Sequence, residues 1–214
     1  MKTVHIARYL VAFVFLYLWS ESSIAQSFST SNLSGTSLNK PTSLDFGPDD
    51  RLYVTQKGGE IIAYTVIRNN SNDYQVIDSE TILSVKNIQN HNDDGTVYNS
   101  TSRQVVAILA VGTAEFPVLY VASSDPRSGG GGSGGDTNLD TNSGTVSRLS
   151  WTGTSWDKVD IIRGLPRSEE NHANNGMQLD EVKNILYIAS GGNTNAGGPS
   201  NNFAYHTEYA LSTS

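Results

Sequence analysis

Cysteine is absent from the 214 residues. No disulfide can therefore staple the fold, and its stability must come from burial or from a bound metal. Basic residues are few, with 14 Lys and Arg against 21 Asp and Glu and a formal net charge of −7. A mildly acidic chain without a basic cluster argues against nucleic acid and against anionic membrane surfaces as partners. Long apolar runs are missing after the first twenty residues, and helical spacing of apolar side chains is almost absent throughout. No serine-hydrolase elbow, zinc-ligand pair, glycosidase carboxylate pair or dinucleotide fingerprint stands out; "GGNTNAGG" follows a strand-like run but opens no helical pattern.

What is present begins with a tripartite leader. Lys2 and Arg8 precede the apolar stretch "YLVAFVFLYLW", and Ser23 and Ala25 supply small residues at a cleavage point. The apolar stretch is shorter than the about 20 residues of a membrane-spanning helix. The expectation is a signal peptide over residues 1–25, cleavage after Ala25, and a secreted or periplasmic protein with no membrane attachment afterwards. Cleavage removes two positive charges (Lys2, Arg8) and one negative (Glu21), taking the formal charge from −7 to −8.

Residues 26–39, "QSFSTSNLSGTSLN", hold little that is apolar and read as a loose lead-in. From Lys40 onward, short apolar runs alternate with Gly, Pro, Asp and Asn, which predicts an all-β chain. "TSLDFGPDDRLYVTQKGGEIIAYTV" reads as three strands joined by "GPDD" and "KGG", turns whose residues tolerate the positive backbone angles of tight hairpins. "RLYVTQ" at Leu52 is echoed by "VLYVASS" at Leu119 and "ILYIASGG" at Leu186, both at 67-residue spacing. Each echo follows another apolar run: "TSLDF", "VVAILAV" and "GMQLD". Repeated meanders predict a partial, open β-propeller of about three blades over residues 40–214, the N-terminal part of a larger ring with further C-terminal blades. A sandwich fits the same short strands.

The glycine-rich "SDPRSGGGGSGGDTNLDTNSG" lies between two strand signals and reads as a long loop within one blade. At its end Asp136, Asn138, Asp140 and Asn142 occupy alternate positions, the way oxygen ligands wrap a hard cation. A solvated loop with Asx turns accounts for the same residues. In "NHNDDGT" a plain turn around Asp94–Gly95 is the simpler reading of His91, Asp93 and Asp94. Two further residues stand at strand entries: Gln104 heads "QVVAILAV" and His172 precedes "GMQLD". In a propeller both would face the shared channel mouth, where a histidine titrating near neutrality can take a proton from a hydroxyl. His172 as an ordinary polar loop residue is the alternative.

In their order, "KPTSLDFGPDDRLYVTQKGGEIIAYTV", "RQVVAILAVGTAEFPVLYV" and "NHANNGMQLDEVKNILYIASGG" resemble the first half of the soluble quinoprotein glucose/sorbosone dehydrogenases, which are six-bladed propellers. The likeness covers about residues 40–198. It implies a sugar dehydrogenase that oxidises an aldose with pyrroloquinoline quinone (PQQ) and calcium. It also implies His172 as the general base and Gln104 as a contact to the quinone. The chain departs from the family's usual glycine pair at Val105–Val106. The alternative is a non-catalytic propeller module that binds glycans or proteins.

Overall fold

The computed structural model describes residues 29–128, 140–167, 172–191, 194–195 and 198–199. The chain divides into two compact units, Met1–Ser31 and Asn32–Ser214, and every strand given below belongs to the second. The leader 1–25 lies outside the described residues.

The fold is all-β, with no helix among the described residues. In chain order the strands are β1 (Leu33–Ser34), β2 (Pro41–Phe46), β3 (Arg51–Gln56), β4 (Ile61–Asn70), β5 (Asp73–Ile82), β6 (Asn90–His91), β7 (Val97–Tyr98) and β8 (Gln104–Gly112). They continue as β9 (Pro117–Ser124), β10 (Gly144–Trp151), β11 (Trp156–Leu165), β12 (Asn174–Asp180), β13 (Ile185–Ser190), β14 (Thr194–Asn195) and β15 (Gly198–Pro199).

Two antiparallel meanders follow one another. The first has the order β2-β3-β4-β5, with β1 added in parallel outside β5 through the pairs Leu33↔Tyr74 and Ser34↔Gln75. The lead-in is thus tied down at Leu33, and further on by Ser37, which exchanges hydrogen bonds with the Tyr64 hydroxyl. The second meander is β8-β9-β10-β11. The hairpin β12–β13 follows as a separate two-stranded sheet. The first strands of the three units are neighbours, β2 beside β8 and β8 beside β12.

The turns carry the chemistry expected of them. Asp50 in "GPDD" has φ 61° and Gly59 in "KGG" has φ 104°. Gly59 answers a second demand as well, because a Cβ there would lie 2.9 Å from the Arg103 carbonyl oxygen at the entry of the second meander.

The main core lies between the two meanders. Tyr53, Ile61, Ala63 and Ile82 of the first, with Val85 in the turn after it, pack with Val105, Ile108, Leu119, Val121 and Leu149 of the second. A second cluster, Leu52, Val54, Ile62 and Tyr64, lies on the opposite face of the first sheet, with Leu33 against it. This is the period-2 alternation of strands buried on both faces. A polar clasp joins the meanders at the edge of the main core. The Trp156 indole N–H donates to Glu80 Oε1 at 2.8 Å, and Arg51 donates to Glu80 Oε2 at 2.6 Å and to Asp49 at 2.6 Å. The Tyr53 ring meets the Trp156 ring edge-to-face at 6.1 Å. Burial, with a hydrogen bond to Asp49, raises the Tyr53 phenol above its ordinary pKa.

Candidate functional site

Polar residues gather at one end of the second sheet, where β8 and β10 begin and β9 and β11 end. The register pairs Gln104 with Ser124, Val105 with Ser123, and Ser123 with Thr145. Successive side chains alternate between sheet faces. Val105 belongs to the core facing the first meander, so Gln104 and its partner Ser124 lie on the other face. Gln104 is buried, at 5 % exposure.

The start of β12 reaches this same end. Asn174 is fully buried, and its amide donates to the Thr145 carbonyl at 3.1 Å. His172 stands two residues earlier in a bend, half-buried. It is held against Gly191, whose N–H donates to the Ala173 carbonyl at 2.9 Å. A Cβ on Gly191 would sit 2.7 Å from the His172 carbonyl carbon. Gln104 therefore opens β8, and His172 lies two residues before the start of β12, a strand of a separate sheet that contacts β8.

Several buried polar atoms here have no hydrogen-bond partner: His172 Nδ1, Asn174 Oδ1 and Ser124 Oγ. Orphaned groups are rare in native folds because each costs about 1–3 kcal/mol in lost solvation. Grouped at one end, they mark a place that offers neutral hydrogen-bonding capacity. With Nδ1 unpartnered, no hydrogen bond at that nitrogen fixes the His172 tautomer, and the ring can present its other nitrogen as donor or acceptor.

Beneath this end runs a network that sequence reasoning missed. Three arginines are buried: Arg103, Arg127 and Arg167. Arg103 donates to Asn90 Oδ1 at 2.9 Å, Thr145 Oγ1 at 3.0 Å, Ser123 Oγ at 3.3 Å and the Ser143 carbonyl. Burial lowers its pKa to about 10 against the opposing fields of Asp125, Asp140 and Asp160. Arg127 forms an ion pair with the fully buried Asp125, donates to Asn92 Oδ1 and the His91 carbonyl at 2.8 Å, and lies 3.9 Å over the Tyr98 ring. Arg167 donates through its guanidinium to the Arg127 carbonyl and through its backbone N–H to Thr141. The one signal for this in the sequence is "SDPR", an aspartate two residues before an arginine. Its position at the head of a glycine-rich stretch makes it read as loop.

Of the residues spaced like cation ligands, Asp136 and Asn138 lie outside the described residues. Asp140 caps a turn, with its side chain accepting from the Asn142 N–H at 3.0 Å. Burial raises its carboxyl pKa. Among the described residues no group of three or more His, Cys, Asp or Glu side chains could hold a metal ion. The "NHNDDGT" segment is the β6–β7 hairpin, turning at Gly95 with φ 81°.

No protein-family model matches the chain, and no curated protein matches it either.

Proposed function

We propose that the chain is the N-terminal arc of a secreted β-propeller of the quinoprotein sugar-dehydrogenase kind, in which His172 takes a proton from an aldose hydroxyl. One observation carries this reading. The opening strands of three successive units lie side by side, and Gln104 and His172 stand at the same end of two of them.

Bound PQQ would supply the hydride acceptor. The residues fit a quinone contact and a proton acceptor: a buried Gln104 amide on the β12 side of the sheet, and a half-buried His172 ring with one unpartnered nitrogen. They do not fit calcium, which lacks a ligand set among the described residues. Asn174 and Gly191 position the segment that carries His172.

The test uses the natural full-length protein, supplied with PQQ and calcium, with dye reduction followed across a panel of aldoses. His172→Ala is expected to lower turnover by about 10²–10⁴, the usual contribution of a general base. Unchanged turnover removes His172 from the mechanism. A second reading, a propeller that binds glycan without oxidising it, is favoured by the orphaned amide and hydroxyl atoms at this end. Absence of both quinone binding and dye reduction would decide for it.

A further inference from the structure

On the opposite face of the second sheet from Gln104, a cleft runs between β10–β11 and the connection from β5 to β8. Its outer part, about 290 Å³, is lined by Ser84, Asn87, Gln89, Lys158, Asp160 and Arg163 among others. An inner chamber of about 110 Å³ continues it past the shared residues Ile88, Gln89, His91 and Arg163, and ends on Arg103, Asp140 and Asn142. The outer part is close to the lower end of small-ligand pockets, about 300–1,000 Å³.

The charges decide which chemistry it would accept. Both cations at the mouth are committed to one carboxylate: Lys158 donates to Asp160 Oδ1 at 2.7 Å and Arg163 to Asp160 Oδ2 at 2.6 Å, with the Ser147 hydroxyl on Oδ1 at 2.6 Å. An anion would have to break these pairs. In the inner chamber Asp140 is the one carboxylate of the lining, and the Arg103 guanidinium lines the same chamber, which opposes a divalent cation. Ile88 is the one large apolar side chain of the lining in both parts, which opposes an apolar ligand. What remains is amides, a carboxylate and an orphaned acceptor. Asn142 Oδ1 is buried without a partner on the chamber wall.

We infer that this cleft is a second binding site, for a neutral polyhydroxylated ligand of monosaccharide size, with a ligand hydroxyl donating to Asn142 Oδ1. Such a ligand carries donors and acceptors on every side. It can meet Gln89, which lines both parts, and Asp140 in the smaller one without disturbing the Asp160 pairs. The site is independent of the His172 end, because it lies on the other face of the sheet.

Titration of the full chain with methyl α-glucoside and myo-inositol, followed by amide chemical shifts, tests the proposal. Saturable binding is expected, with shifts at Gln89, His91 and Asn142. Asn142→Leu should weaken it at least tenfold. Asn142 Oδ1 has no protein partner to lose, so this variant should keep its thermal midpoint. His172→Ala should leave the binding unchanged while removing any turnover, which separates this site from the dehydrogenase reading. Absence of saturable binding, shifts confined to other faces, affinity unaffected by Asn142→Leu, or preference for phosphate or calcium over the polyols would each overturn the inference.

Discussion

If Trp156 and Glu80 bind the two meanders into one cooperative unit, removing their hydrogen bond should lower the stability of both together. Trp156→Phe deletes the indole donor 2.8 Å from Glu80 Oε1 and keeps an aromatic ring facing Tyr53. A hydrogen bond to a charged acceptor contributes about 1.5–3 kcal/mol. The Glu80 side chain is 36 % exposed, so solvent screening places this one at the low end, about 1.5 kcal/mol. The smaller ring adds roughly 0.5 kcal/mol of lost contact with Tyr53 and Trp151. The sum, about 2 kcal/mol, corresponds to a fall in thermal midpoint of about 4–8 °C for a domain of this size. Urea unfolding followed by circular dichroism should show a lower midpoint, an unchanged slope and a single transition. A double-mutant cycle with Glu80→Ala should give a coupling of about 1 kcal/mol. Additivity within about 0.5 kcal/mol would show that the contact does not couple the sheets. Two separate transitions in the wild-type protein would refute the idea of one unit outright.

Three further outcomes are expected. Burial raises the Asp160 carboxyl pKa, but hydrogen bonds from Lys158, Ser147 and Arg163 outweigh it and hold the pKa below the ordinary value. Its contribution is therefore complete above the unfolded pKa of about 4 and is lost as pH falls through the folded value, so Asp160→Asn should destabilise near pH 7 and converge with wild type under strong acid in pH-dependent urea melts. Gly191→Ala would force a Cβ to within 2.7 Å of the His172 carbonyl carbon; it should cost about 1–3 kcal/mol in stability and, through displacement of His172, reduce any turnover more than it reduces sugar affinity. Gly144→Ala places a Cβ 2.6 Å from the Leu165 carbonyl oxygen, and should raise hydrogen exchange along the β10–β11 ladder while leaving β3 and β4 protected.

The strands were legible wherever local chemistry decides them. "TSLDF", "RLYVTQ" and "EIIAYTV" become β2, β3 and β4, and the three apolar-Tyr echoes become β3, β9 and β13. Asp50 and Gly59 take the positive φ that their turns imply. The fourth strands, β5 and β11, were harder to see. β5 reads "DYQVIDSETI", mostly polar or exposed, with Val76 against the second cluster and Ile82 at its end as the one buried side chain. The entry positions of Gln104 and His172 follow from the strand pattern alone. The arginine network does not, since Arg103, Arg127 and Arg167 are buried by partners up to 42 residues away, and nothing local marks a charged side chain as internal. The cleft was invisible for the same reason: its walls come from a turn after β5 and from strands some 70 residues later.

The sequential layout of the sheets sets an order of assembly during synthesis. Within each meander every strand pairs with its neighbour in the chain, so contact order is low and the first sheet can close soon after Ile82 has emerged. One face of that sheet, with Tyr53, Ile61 and Ala63, then waits for Val105, Leu119 and Leu149. Glu80 stays without its indole partner until Trp156 has been made. At about 5–20 residues per second, the nascent first meander exposes an apolar face for several seconds, an interval in which it is open to pairing with another chain.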